Sequence, residues 1–134
     1  MKILSIAVAL LLPLCAFAQQ NNAQSQEKVL RESIDKEVDR YTELLGLEDW
    51  QAFYLDSILT HNYTQRMIEL QRLSDAKMSN TDLYYQVSDK WVEASYQAIH
   101  KVFNEEQWAK YEKQGAAREK KARDKRAEKL KKQK

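Results

Sequence analysis

An all-α fold is predicted by three observations. Beyond residue 18 the chain holds no proline and only two glycines, Gly46 and Gly115, so it has few places to turn. Apolar residues recur at steps of three and four through most of that length. Charged side chains make up 31% of the sequence, and runs of β-branched residues are few. The expected architecture is a small four-helix, hairpin-like arrangement with one long helix over residues 25–115, followed by a basic tail, 116–134, that is partly helical or disordered.

The first eighteen residues are expected to lie outside this fold. Lys2, the apolar run Ile3 to Leu14 and the small-x-small site Ala16-Phe17-Ala18 have the pattern of a secretory signal peptide cut after Ala18, which implies a periplasmic protein. The run is shorter than the 20 or so residues that span a bilayer, which argues against a retained anchor. Cys15 raises lipidation as an alternative, and the bulky Leu14 before it argues against that. The remaining 116 residues suit one small domain without cysteine, hence without a disulfide. Residues 19–24 read as a flexible leader.

Each helix then has its own signal. Ser25 is a fair N-cap for the first, whose stripe of Leu30, Ile34, Val38, Tyr41 and Leu45 ends at Gly46, a residue suited to a left-handed C-cap with Leu47 packing back toward Tyr41. The second starts at Leu47-Glu48-Asp49-Trp50-Gln51 and meets no breaker before about Ala76, giving a rod of roughly 42 Å. Glu48 or Asp49 is its cap. Trp50, Phe53, Tyr54, Leu55, Ile58 and Leu59 make its first half apolar over more than one face, the second half thins, and part of so long a rod is expected either to bind another subunit or to stand partly exposed. The third is capped near Ser79, with Asp82 in capping-box spacing, and carries Tyr84, Val87, Trp91, Ala94 or Ser95, Ala98 and Val102 on one stripe, with Val92 and Ile99 off it. The fourth begins at Phe103-Asn104-Glu105-Glu106-Gln107. There Asn104 and Gln107 have capping-box spacing, and Phe103 and Trp108 have that of a hydrophobic staple.

Charge divides the chain. Residues 19–117 carry 11 basic against 17 acidic side chains, and residues 118–134 carry 10 against 3. A basic tail on an acidic body can hold an anionic partner or fold back on its own body. It has no apolar face, so fraying is expected.

Chemistry for catalysis is not visible. His61 and His100 have no carboxylate or second imidazole three or four residues away, there is no glycine-rich phosphate loop, and the carboxylates sit on charged helix faces. No enzyme activity, metal or cofactor is expected. The tail lacks the aromatic side chains of single-strand nucleic-acid binders, so no nucleic-acid partner is expected either. The tryptophans at helical spacing read as core.

The paired motifs, Leu47-Glu48-Asp49-Trp50-Gln51 and Phe103-Asn104-Glu105-Glu106-Gln107, resemble the twice-repeated L-T-x-x-Q of the Spy/CpxP-like periplasmic proteins. The resemblance covers about Ser25 to Gly115, with Glu48 and Asn104 standing where the family has Thr and Phe103 where it has Leu. It implies a cradle-shaped homodimer that binds unfolded or aggregation-prone envelope proteins without ATP. Leu47 and Phe103 would serve as staples and Gln51 and Gln107 as capping side chains. The residues themselves suggest the client surface: Tyr63, Met67, Ile68 and Leu70, beside Arg66 and Arg72, on the thin half of helix two. The alternative is an envelope-associated interaction protein whose basic tail docks on anionic lipid, lipopolysaccharide or a protein partner.

Overall fold

A computed structural model describes residues 14–133, with side chains from residue 22 onward. The elements are α1 (Leu14–Leu45), α2 (Asp49–Asp75), α3 (Thr81–Val102), α4 (Glu105–Tyr111), a π-turn (Glu112–Ala116) and α5 (Ala117–Lys131), with no strand among the described residues. No helix among the described residues is long and apolar enough to cross a membrane. Most of the expected signal segment lies outside the described residues, and its last part, from Leu14, opens α1. That helix also runs straight through the expected leader and past Ser25, which is an interior residue and not a cap. The reason is local: residues 16–26 are rich in alanine and glutamine, good helix formers with no breaker among them.

The turn between α1 and α2 follows the sequence signal. Gly46 has φ of 62°, and the Leu47 amide reaches back to the Thr42 carbonyl at 3.1 Å, closing a Schellman turn. Leu47 is thereby buried in one core cluster with Tyr41 and Leu45. At the end of α2 the Met78 amide bonds the Leu73 carbonyl in the same way, but Lys77 occupies the left-handed position with φ of 54°. The cap of α3 is Asn80, whose Oδ1 accepts the Asp82 amide at 2.9 Å; the expected Ser79 lies one residue outside. Asn104 caps α4 as its sequence foretells: its Oδ1 accepts the Gln107 amide at 2.8 Å while Gln107 Oε1 accepts the Asn104 amide at 3.0 Å. Asn104→Ala is expected to cost about 1 kcal/mol in chemical denaturation, read as a lower midpoint at constant slope.

The core joins Ile34, Tyr41 and Leu45 of α1 to Leu55 and Leu59 of α2 and to Ile99 and Phe103 at the end of α3, with Leu30 and Val38 against it. All five stripe residues of α1 are therefore in it. The stripe expected on α3 is met in part: Ser95 on it is buried and Val102 packs against the core, but Ile99, placed off it, is fully buried as well. α3 has neighbours on two sides, α2 and α5, so its covered surface is wider than a single stripe. α2 and α3 run antiparallel and share a buried polar contact, Asn62 Nδ2 donating to Ser95 Oγ at 3.0 Å. Arg31 on α1 clasps α2 by donating to Asp56 and, at 3.0 Å, to Thr60. The guanidinium beside it holds the Asp56 carboxyl below its usual value.

The basic tail is helical through Lys131. Its missing apolar face is replaced by a charged one that meets the acidic side of α3. Arg123, only 5% exposed, donates to Glu93 at 3.0 Å, Lys120 lies 3.2 Å from the same carboxylate, and Arg126 grips Asp89 at 2.7 and 2.8 Å. Between α4 and α5, Gly115 takes φ of 118°, which bends the last helix so that α5 lies against α3.

Candidate functional site

The two motif copies meet. Gln51 and Gln107 are 4% and 7% exposed, and their amides face each other: Gln51 Nε2 donates to Gln107 Oε1 at 2.7 Å, and Gln107 Nε2 donates to Gln51 Oε1 at 3.1 Å. Each oxygen also accepts the backbone amide of its own helix cap, Glu48 or Asn104, both at 3.0 Å. Each nitrogen reaches the chain just ahead of the other motif, Gln51 to the Val102 carbonyl at 3.0 Å and Gln107 to that of Gly46 at 3.5 Å. Gly46 and Val102 occupy equivalent positions, so the two helix starts form a local pseudo-twofold. Tyr111 bridges Phe103 and Trp108, lying edge-on to Phe103 at 5.6 Å and tilted against Trp108 at 5.3 Å.

This lock holds up an exposed aromatic cluster at the start of α2. Trp50, Phe53 and Tyr54 are 50%, 67% and 53% exposed, with Tyr54 edge-on to both other rings at 6.2 and 5.8 Å. The Glu48 carboxylate accepts the Trp50 indole N–H. On the last turn of α1, Leu44 is exposed as well. The expectation that Trp50 belongs to the core is thus reversed. α1 and α3 cover two sides of α2, and positions 50, 54, 57, 61, 68 and 72 share the third.

The six residues expected to hold clients divide between two faces of α2. Tyr63, Arg66, Met67 and Leu70 line a shallow cleft against Gln26 and Leu30 of α1, while Ile68 and Arg72 share the outer face with Trp50 and Tyr54. The thin half is also better covered than expected: every residue from Tyr63 to Leu70 is half-buried. Gln26 and Leu30 of α1, both within the helix expected from Ser25, supply part of that cover. Tyr63 is held tightly, its hydroxyl donating to the Glu37 carboxylate at 3.2 Å and its ring lying under Arg66 at 4.6 Å.

Glu37 and Tyr63 also border a cleft of about 480 Å³ between α1, α2, α3 and the last bent helix, with Tyr41, Tyr111, Arg40 and Arg123 among its walls. Burial pushes the Glu37 carboxyl above its usual value, against the opposing pull of the Tyr63 hydroxyl and of Arg40 and Arg66. Burial likewise raises the Tyr41, Tyr63 and Tyr111 phenols. The folded protein therefore binds the Glu37 proton more tightly than the unfolded chain does. Stability from this group is fully present below the ordinary carboxyl range and is lost as pH rises through the folded-state value. Glu37→Gln keeps an acceptor for Tyr63, so it is expected to raise the melting temperature at neutral pH, with the advantage vanishing toward about pH 4. A lower melting temperature at neutral pH would mean that the Glu37 charge is needed by Arg40 and Arg66.

The histidines go to separate tryptophans. His61 lies edge-on to Trp91 at 6.0 Å and His100 stacks on Trp108 at 4.1 Å. No group of three metal-ligating side chains comes together among the described residues. No protein-family model, curated protein or solved structure matches the chain. What its geometry defines is an all-helical protein that locks two helix starts together and presents aromatic rings to solvent beside them.

Proposed function

We propose that this chain is an exported, ATP-independent, holdase-like chaperone, acting as a homodimer on unfolded or aggregation-prone envelope proteins. The observation that carries the proposal is the cluster of Trp50, Phe53 and Tyr54, three large rings kept in water by a rigid helix start. Exposed aromatic groups of this kind mark surfaces that bind other chains, because rings bury much apolar area at little cost in side-chain freedom. The neighbouring Glu48 and Asp49 give the cluster an acidic margin, which favours apolar segments flanked by lysine or arginine. The resemblance of the twin motifs to those of the Spy/CpxP-like proteins supports the same reading.

The candidate surface differs from the one expected from sequence. Trp50, Phe53 and Tyr54 replace the cleft residues Tyr63, Met67 and Leu70 as the main contacts, while Ile68 and Arg72 extend the same face. Purified protein at an equimolar ratio is expected to suppress light scattering from a thermally unfolding client without nucleotide. Unchanged scattering with several unrelated clients would refute the proposal. Sedimentation equilibrium tests the homodimer separately.

A further inference from the structure

α5 has two charged faces, and only one is used inside the molecule. Lys120, Arg123 and Arg126 point at α3 and are paired with Glu93 and Asp89. Arg118, Lys121, Lys125 and Lys129, with Lys132 at the C-cap, follow one another at steps of three, four, four and three, so they form a ridge on the opposite side. All five are exposed, and none forms an ion pair among the described residues. Like charges at these spacings repel one another, a repulsion that Glu128 beside them reduces and an anionic surface would relieve further.

We propose that this outer face of α5 docks on an anionic lipid bilayer. The ridge is straight, about 21 Å long, and backed by α3, so it offers a flat line of charge to a flat surface. Four of its five members are lysines, point charges suited to scattered headgroups and lacking the paired donors with which arginine grips a single phosphate. It bears no aromatic side chain that could stack on a base. The one large apolar residue of α5, Leu130, is half-buried toward α3 in a cleft with Gln86 and Asp89, so nothing on the ridge inserts into the hydrocarbon. Binding is therefore peripheral and governed by charge. Docking also leaves the aromatic cluster free. Trp50 lies near the C-terminal end of α3, whereas Arg126 meets Asp89, thirteen residues and about 20 Å earlier along that helix.

The test is co-sedimentation of the full chain with neutral phosphatidylcholine vesicles and with vesicles in which roughly a third of the lipid is phosphatidylglycerol, at low and at high salt. The expected result is stronger binding to the anionic than to the neutral vesicles, the excess being lost at about 0.5 M salt. Replacing all five residues by glutamine (Arg118→Gln, Lys121→Gln, Lys125→Gln, Lys129→Gln, Lys132→Gln) should weaken it by about a hundredfold or more while leaving the helical circular dichroism unchanged. The pair Lys121→Gln/Lys125→Gln, a smaller perturbation of the fold, should lose about tenfold. Partition through the apolar residues 3–14 is common to parent and variants and cancels in the comparison. Equal binding to neutral and anionic vesicles would overturn the proposal, as would variants that bind like the parent. Capture by soluble heparin in place of the vesicles would overturn it in favour of a polyanion.

Discussion

Gln51→Ala is expected to lower the unfolding free energy by about 3 kcal/mol, and Gln107→Ala by a similar amount. Neither figure is what a helix cap alone is worth, which is about 1 kcal/mol. The larger cost arises because each side chain serves three groups at once. Without Gln51, the Glu48 amide loses its acceptor, the Val102 carbonyl its donor and Gln107 its closest amide partner, all at a junction where little water enters. Buried groups left unsatisfied cost about 1–3 kcal/mol each, reduced here by partial access at the helix start. For a domain with some 5–15 kcal/mol of stability, that is a large share. Urea denaturation should show the loss as a shifted midpoint at constant slope. The double variant should cost less than the two single losses combined, by about 1–2 kcal/mol, since neither amide then remains to be orphaned. Gln51→Glu is the sharper probe. It keeps the shape but turns both Nε2 donors into an acceptor facing the Val102 and Gln107 oxygens, so it should be at least as damaging as alanine at neutral pH and recover as its carboxyl protonates. Single variants within about 0.5 kcal/mol of the parent would show that the amide pair contributes little.

Much of this fold is legible in the sequence because its signals are local. Gly46, the stripe from Leu30 to Leu45 and the Asn104 capping box each involve residues within one or two helical turns, and each is found where it was expected. The pairing of Gln51 with Gln107 is different. Spacing identifies both as capping side chains, but the cross-contact depends on α2 and α3 being antiparallel and of matched length, which no window of the sequence records. The same limit explains Trp50 and Ile99. Periodicity says which residues share a face, while burial depends on whether another helix reaches that face, and α1 covers the middle of α2 and leaves its first turns open. The tail was legible as a charge asymmetry. Its ordering required knowing that Asp89 and Glu93 lie on the side of α3 that the bend at Gly115 brings α5 to meet.

Replacing the aromatic cluster with glutamine (Trp50→Gln, Phe53→Gln and Tyr54→Gln together) is expected to abolish most protection of clients while changing stability by about 1 kcal/mol or less. The two expectations separate because of where the rings lie. Half or more of each ring is already in water, and glutamine suits a helix, so folding loses little beyond the edge-on pairs of Tyr54 with its neighbours. A bound client would desolvate all three rings. At about 1–2 kcal/mol for each aromatic contact, affinity falls by a hundredfold or more, which moves the protective concentration well above equimolar. The matching variant of the cleft, Met67→Gln/Leu70→Gln, should keep protection close to that of the parent, because those side chains are half-buried against α1. The reverse pattern, protection lost in the cleft variant and kept in the cluster variant, would move the client surface back to the second half of α2. Sedimentation of the cluster variant decides one further point. If the rings hold clients, the oligomeric state is unchanged; a fall to monomer would instead make the cluster the contact between subunits, with protection lost only because the dimer is lost.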